Sequence, residues 1–510
     1  MSPVLQSLKS PGRALCLLAA SLPVLSHAAT PWIPAGDLTA RHHVEALQSQ
    51  GCLDGLTLTW PISWAAVMKS YRLAQARLPE PRASQCANAH ARYLQNALEQ
   101  TRSQTRGSMV TIGGANQEPL FNGYGSVPED RFASEVTVYG MGERWAGQLA
   151  VSYVDGDRDT QEIRADDTYL AGVVGNWQLG VGAIDRWWGP GWQSSLALSN
   201  NARPVPGLWL SRQIPYAPET PWLHWIGPWD LQLFAGQLEQ NRAIPDAKLL
   251  GARFVFRPLR SLQIGLTRLA QWGGKGRPQD ASAFWHALIG RDNGETSGLK
   301  PGQDPSNQIA GFDFRYSMTP AGLPLGLYGQ AMGEDEANGL PSKFSTLAGL
   351  DLVTAFGAGS QRYFVEATDA VAGSLSGNKR FNTAYEHSTY QSGFRYYGRN
   401  MATSWEGDGR AITLGVQQFF RNGVTVAANL SHATLNQDGK KRAVVVNDGA
   451  EILQAATEQD VDLAQLRLEH DLLGGRLAWV ATVTDEPVVT FFDKRERYTV
   501  GAQWTRNINW

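Results

Sequence analysis

The chain has 510 residues, 45 Lys and Arg against 47 Asp and Glu, 53 Gly and 18 Trp. A near-balanced charge without a basic tract speaks against nucleic acid as a partner, because phosphate binding needs a concentrated basic face. After the N-terminal stretch no run approaches the roughly 20 apolar residues of a membrane helix, so a membrane-embedded form would cross as strands.

The N-terminus carries Lys9 and Arg13, an apolar stretch from Ala14 to Leu25, and Ser26-His27-Ala28 before Ala29. A charged start, an apolar core of about a dozen residues and a small-x-small end read as a secretory signal over residues 1–28. Cys16 follows Arg13-Ala14-Leu15 rather than a lipobox, which argues against a lipoprotein. Taking Lys9 and Arg13 from the 45 basic residues leaves 43 against 47 acidic ones, a net charge of −4. Two cysteines then remain, Cys52 and Cys86; in an exported chain they most simply form one disulfide, the alternative being two unpaired buried thiols.

Residues 29–106 read as a periplasmic helical domain. Asp37 is placed to cap a helix carrying Leu38, His42, Val44, Ala46 and Leu47 that Gly51 ends. Pro61 opens a second helix with Ile62, Trp64, Ala65, Met68, Tyr71 and Leu73, stopped by Pro79. A third is expected from about Ala83 to Gln104, with Ala87, Ala91, Leu94, Ala97 and Leu98 on one side at spacings of 3 and 4. The adjacent His42 and His43 point apart on such a helix and read as surface or packing residues, with no metal expected.

Residues 107–510 read as an all-β transmembrane barrel. Period-two runs fall at Val136 to Tyr139, Ala146 to Tyr153, Leu231 to Leu238, Phe254 to Phe256, Leu262 to Leu266 and Thr413 to Gln417. Short turns (141–143, 175–176, 257–260, 319–322, 357–359, 421–423 and 474–475) alternate with long polar connections near 115–131, 155–166, 240–247, 271–307, 333–345, 370–410, 435–460 and 485–495. Taking 194–212 as one kinked strand, 213–228 as a connection on the short-turn side, and 370–410 as one loop with a hairpin around Gln391 to Tyr397, the count is about 18 antiparallel strands. An even number with short periplasmic turns is the barrel signature. The chain closes on Tyr498, Val500, Ala502, Trp504, Arg506, Ile508 and Trp510 at every second position. One face of that strand suits lipid, and Tyr498, Trp504 and Trp510 suit a signal for the barrel-assembly machinery.

The densest cluster of chemistry is Arg186-Trp187-Trp188-Gly189-Pro190-Gly191-Trp192, followed by Asn200-Asn201-Ala202-Arg203-Pro204. Indole faces stack on the C–H face of sugars, while Arg and Asn supply hydrogen bonds to hydroxyl and acidic groups. Arg186, Trp187, Trp188, Trp192, Asn200, Asn201 and Arg203 are therefore expected glycan contacts. The competing reading is interfacial anchoring and internal packing. Asp155-Gly156-Asp157-Arg158-Asp159, with Asp166 at the twelfth place, partly matches a calcium loop, but Thr160 stands where the turn glycine belongs. A solvated acidic loop is the simpler reading. The loop at 271–307 (Trp272, Trp285, His286, Arg291, Lys300) could meet an acidic polymer or act as a lid. The usual hydrolase, zincin and phosphate-loop motifs are absent, so no enzyme and no cofactor is expected.

The Trp-Trp-Gly-Pro-Gly-Trp segment with Ser195-Leu196-Ala197-Leu198-Ser199-Asn200-Asn201-Ala202-Arg203-Pro204-Val205-Pro206-Gly207-Leu208 resembles the signature of the Wzi-type capsule assembly family. Leu38 to Gly51 followed by Thr57-Leu58-Thr59-Trp60-Pro61-Ile62-Ser63-Trp64 is similar upstream. The resemblance implies an 18-stranded outer-membrane barrel with a periplasmic helical bundle, and a lectin that holds capsular or extracellular polysaccharide at the cell surface. The alternative from another class is a porin, sugar-selective or not, whose lumen passes small solutes.

Overall fold

The computed structural model describes residues 30–125, 130–156, 159, 161–281, 284, 306–337, 340–357, 359–373, 377–440 and 454–509. The expected signal at 1–28, Trp510, and Trp285, His286, Arg291 and Lys300 lie outside these residues.

Eighteen antiparallel strands close into a barrel. In chain order they are β1 (Arg106–Ala115), β2 (Phe132–Met141), β3 (Trp145–Asp155), β4 (Tyr169–Val174), β5 (Trp177–Gly182), β6 (Gly207–Arg212), β7 (Trp229–Gln237), β8 (Lys248–Leu259) and β9 (Leu262–Trp272). The second half comprises β10 (Ser306–Met318), β11 (Leu325–Ala337), β12 (Leu340–Phe356), β13 (Gly359–Gly373), β14 (Arg410–Phe420), β15 (Thr425–Leu435), β16 (Gln459–Leu472), β17 (Gly475–Thr484) and β18 (Tyr498–Asn509). Two-residue strands at Ile163–Arg164 and Lys379–Arg380 add to its rim. The last strand pairs with the first, from Gly501 opposite Ala115 to Asn509 opposite Gly107, so no edge is left unpaired.

The period-two pattern sorts the side chains. On β14, Ile412 and Leu414 (53% exposed) face out, whereas Thr413 (1%) and Gln417 face the lumen. On β18, Tyr498, Val500 and Ile508 face out and Thr499 and Thr505 face in. Polar residues inside and apolar residues outside invert a soluble protein and suit a cylinder in lipid. Short and long connections alternate as the sequence predicts, with 213–228 on the short-turn side. Two assignments change. Only Gly207–Arg212 of the predicted strand 194–212 is strand. The predicted loop 333–345 is instead hairpin, β11 and β12 pairing as far as Ala337 opposite Leu340.

Among the described residues four helices precede the barrel: α1 (Leu38–Ser49), α2 (Trp64–Arg77), α3 (Arg82–Cys86) and α4 (Ala89–Ser103). Asp37 caps α1 by accepting from the Ala40 N–H at 2.9 Å, as the sequence indicates. Pro61 does not open α2. Ile62–Ser63 pairs with Trp32–Ile33, and Ser63 is the cap, accepting from Ala66 N–H at 3.1 Å. The third predicted helix is broken, because the Asn88 side chain accepts from the His90 and Ala91 N–H groups and starts a new helix there. Cys52 and Cys86 form the expected disulfide, with Cα atoms 5.4 Å apart.

These helices do not form a body apart from the barrel. Every residue of α1 except Thr39 is buried. His42 Nε2 lies 2.9 Å from Ser360 Oγ, at the start of β13, and Ser317 Oγ donates to Gln48 Oε1 at 2.8 Å, at the end of β10. Ser317 and Ser360 border short turns, so α1 plugs the lumen at the short-turn end. The expectation that His42 and His43 point apart fails, since both rings turn into the core, 5.1 Å between centroids.

Candidate functional site

The connection between β5 and β6, residues 183–206, does not leave the barrel. It folds into the lumen, and the 377–409 connection packs over it, with Tyr385 Oη donating to Leu196 O at 3.1 Å and Ser199 N–H to Met401 O at 2.8 Å. A small hairpin, Arg395–Tyr396 against Arg399–Asn400, lies there, a few residues beyond its predicted place.

The chain can fold inward because its backbone groups find partners. Trp187 and Trp188 pair as a short antiparallel ladder with Trp60 and Thr59. Glu366 of β13 accepts from the backbone N–H groups of Trp192 and Ser194, both at 2.7 Å, and from Tyr328 Oη at 3.2 Å. Gln330 of β11 accepts from Leu196 N–H and donates to Trp188 O. A Cβ on Gly191 would overlap the Ser194 carbonyl, so glycine is needed where the chain doubles back.

Inward charges of the wall are answered by α1. Arg41 Nε lies 2.8 Å from Glu45 Oε1, and its guanidinium sits 4.1 Å from the Trp192 ring centroid and 4.3 Å from that of Tyr124. Glu45 also faces Arg315 and Arg362 at 3.4 Å each, and both of those guanidiniums pair with Asp351. Removing one member of such a buried set strands the others, which makes the plug costly to displace.

The expected glycan contacts therefore divide. Trp187, Trp188 and Trp192 are buried, at 1%, 0% and 2% exposure, and display no face to a polymer outside. Arg186 is buried over the Phe234 ring at 4.1 Å, and burial pushes its guanidinium down to about 9. Asn201 Nδ2 donates to Asn400 O at 2.9 Å, and Asn200 Nδ2 to Tyr124 O at 2.8 Å. Arg203 lies towards the long loops, with Nε 2.7 Å from Asp166 and Nη1 paired with Asp159, over the Tyr397 ring. Burial alone would depress the Arg203 guanidinium; the Asp166 and Asp159 carboxylates reverse this and raise it. Within the expected acidic loop, Asp159 and Asp166 are thus engaged by Arg203, while Asp155 and residues 161–163 are exposed and Asp157, Arg158 and Thr160 lie outside the described residues.

Beside this cluster a cavity of about 810 Å³ runs along the wall, lined among others by Tyr169, Asp166, Asp185 and Asn200. The Tyr169 hydroxyl and Asn200 Oδ1 are buried with no hydrogen-bond partner among the described residues. The Trp32 ring lies 4.8 Å from that of Tyr169. Burial, then the nearby Asp166, pushes the Asp185 carboxyl up to about 7. An aromatic wall with unused oxygens and a carboxyl that exchanges its proton near neutral pH can accept from and donate to hydroxyl groups. Glu366, Gln330, Tyr169 and Asp185 were not singled out by the sequence reading. The only signal for Glu366 and Gln330 was a charged or amide side chain at an inward strand position.

The model of the family described as capsule assembly protein Wzi matches residues 101–499. A Klebsiella pneumoniae protein, described as an uncharacterized 55.8 kDa protein in the cps region, is 33% identical over 355 residues, 69% of this chain and 68% of its own. The solved structure of Escherichia coli Wzi, described as an outer membrane protein involved in group 1 capsule assembly and a carbohydrate-binding β-barrel, superposes with a TM-score of 0.79 at 26% identity. It covers 94% of this chain and 100% of that one.

Proposed function

This chain belongs to the Wzi family of capsule assembly proteins, and from that premise we propose that it is a lectin-like outer-membrane barrel. It binds capsular or extracellular polysaccharide and helps to attach it at the cell surface. The observation that carries this reading over a pore is the occupied lumen, in which α1 and residues 183–206 are locked to the wall by Glu366, Gln330 and the Arg–carboxylate set.

The short-turn end, with the helices, faces the periplasm, and the long loops face the polymer. Among the expected contacts, Asn200 and Arg203 touch glycan directly. Arg186, Trp187, Trp188, Trp192 and Asn201 form the frame that presents them. Each contact is weak, and repetition of the polymer's units across many copies of the barrel supplies avidity. Lipids surround the outer face, and the barrel-assembly machinery inserts it through the C-terminal strand bearing Tyr498, Trp504 and Trp510. Catalysis forms no part of the proposed role.

The test is a deletion strain complemented with the gene. Polysaccharide should move from the cell-bound fraction to the medium while total synthesis holds. Unchanged cell-bound polymer would overturn the proposal.

A further inference from the structure

Three histidines meet where α1 packs on α4. His42 and His43 of α1 and His90 in the first turn of α4 are all buried, and one ring nitrogen from each lies within 4.8 Å of the other two. His43 Nδ1 and His90 Nδ1 are 2.8 Å apart. The rings are held from behind: His43 stacks on Tyr93 at 4.1 Å, His42 stacks on Phe419 at 4.0 Å, and His42 Nε2 meets Ser360 Oγ at 2.9 Å. We infer that His42, His43 and His90 form a binding site for a first-row divalent cation, zinc foremost, which staples α1 to α4 beside the Cys52–Cys86 disulfide and ties both to the barrel wall.

Geometry supports the donor set. Two nitrogens at the usual zinc distance of about 2.0 Å stand roughly 2.8 Å apart at a right angle and about 3.3 Å apart in a tetrahedron. The His43–His90 pair is already in that range, and the His42 nitrogen, within 4.8 Å of the others, has to close by up to about 1.5 Å to join it. A group engaged on His42 Nε2 is the usual outer partner of a ligating imidazole. Access is available because His43 and His90 line the 810 Å³ cavity, which leaves a fourth position to water. Arg362 Nε donates to His42 Nδ1 at 3.4 Å, a hydrogen bond that a cation taken by that nitrogen displaces, and the guanidinium charge is answered by Asp351 and Glu45. Asp37 and Glu469 line the same cavity as further negative charge. All-imidazole ligation suits zinc, nickel or copper, whereas calcium and magnesium take oxygen ligands.

The test uses full-length protein without a polyhistidine tag, purified in detergent, stripped with chelator and dialysed against zinc chloride. About one zinc per chain should remain, with a higher unfolding temperature. Both effects should be lost in His43→Ala and His90→Ala and kept in His224→Ala, whose ring is exposed. Cobalt substituted into the wild-type chain should give the intense visible bands of a tetrahedral site, a readout that survives even if the variants do not fold. A wild-type chain that retains no zinc and shows only hydrated, octahedral cobalt would overturn the inference, leaving His43–His90 as a plain hydrogen bond. Equal zinc retention in His43→Ala and His90→Ala would do the same.

Discussion

Glu366 and Trp192, 174 residues apart in sequence, are joined by a 2.7 Å hydrogen bond from the Trp192 backbone N–H to the Glu366 carboxylate. The same carboxylate takes the Ser194 N–H, so one side chain on the wall fixes the turn of the inner loop. Glu366→Ala leaves those N–H groups buried and unpaired, at a cost of about 2–4 kcal/mol. The expected result is a lower unfolding temperature and new protease cleavage within 183–206. Glu366→Gln, which keeps an oxygen acceptor, should lie between the two. Equal stability in all three proteins would sink this account of the loop.

The plug should govern conductance. Wild-type protein in planar bilayers is expected to stay closed, whereas removal of residues 30–104 should produce steady ion currents. Arg362→Ala, which takes one cation from Asp351 and Glu45 but leaves both with Arg315, should cost about 2–3 kcal/mol and give intermittent openings. Large open currents from the wild type would favour a porin.

Arg203 and Trp188 separate binding from architecture. Arg203→Ala should shed polysaccharide while leaving a heat-modifiable barrel in normal yield. Trp188→Ala removes a fully buried indole, at about 3–5 kcal/mol, and should lower the yield of folded barrel first. Undiminished polymer retention in Arg203→Ala would remove Arg203 from the proposed contacts.

Asp185 should give the inner loop a pH-dependent weakness. Its folded carboxyl titrates at about 7, above its ordinary value of 3.8, with Asp166 and Arg186 as charged neighbours. Stability from its protonated form is fully present below pH 3.8 and is lost as pH rises through 7, on the order of 2–4 kcal/mol. Asp185→Asn should therefore match the wild type near pH 4 and exceed it at pH 8. A gap independent of pH would refute the assignment.

Reduction of Cys52–Cys86, which closes a separation of 34 residues, should destabilise the helical plug by about 3–4 kcal/mol. The barrel strands should be nearly unaffected, as followed by loss of helical signal before strand signal on heating. Simultaneous loss of both signals would mean that the plug and wall unfold as one unit.

Local pattern carried much of the architecture. Strand alternation on β14 and β18, the short turns, and Asp37 as a helix cap are read within a few residues of chain, because side-chain direction and capping are local properties. Where two local signals compete, sequence misleads: Pro61 is a plausible helix start, but pairing of Ile62–Ser63 with Trp32–Ile33 moves the start to Ser63. Asn88 likewise outcompetes the continuing helical period and splits the third helix.

By itself the sequence determined a strand-built cylinder with an even count, a preceding helical segment, one disulfide and the family. What only the tertiary structure decided is the direction of the tryptophan loop. A Trp-rich turn can face a sugar or a core equally well on composition. Here Glu366, Gln330 and Arg41, all distant in sequence, supply the hydrogen bonds and the charge that make burial the lower free-energy choice. The same long-range packing turned His42 and His43 to face His90, a meeting that helical periodicity along α1 could not foretell.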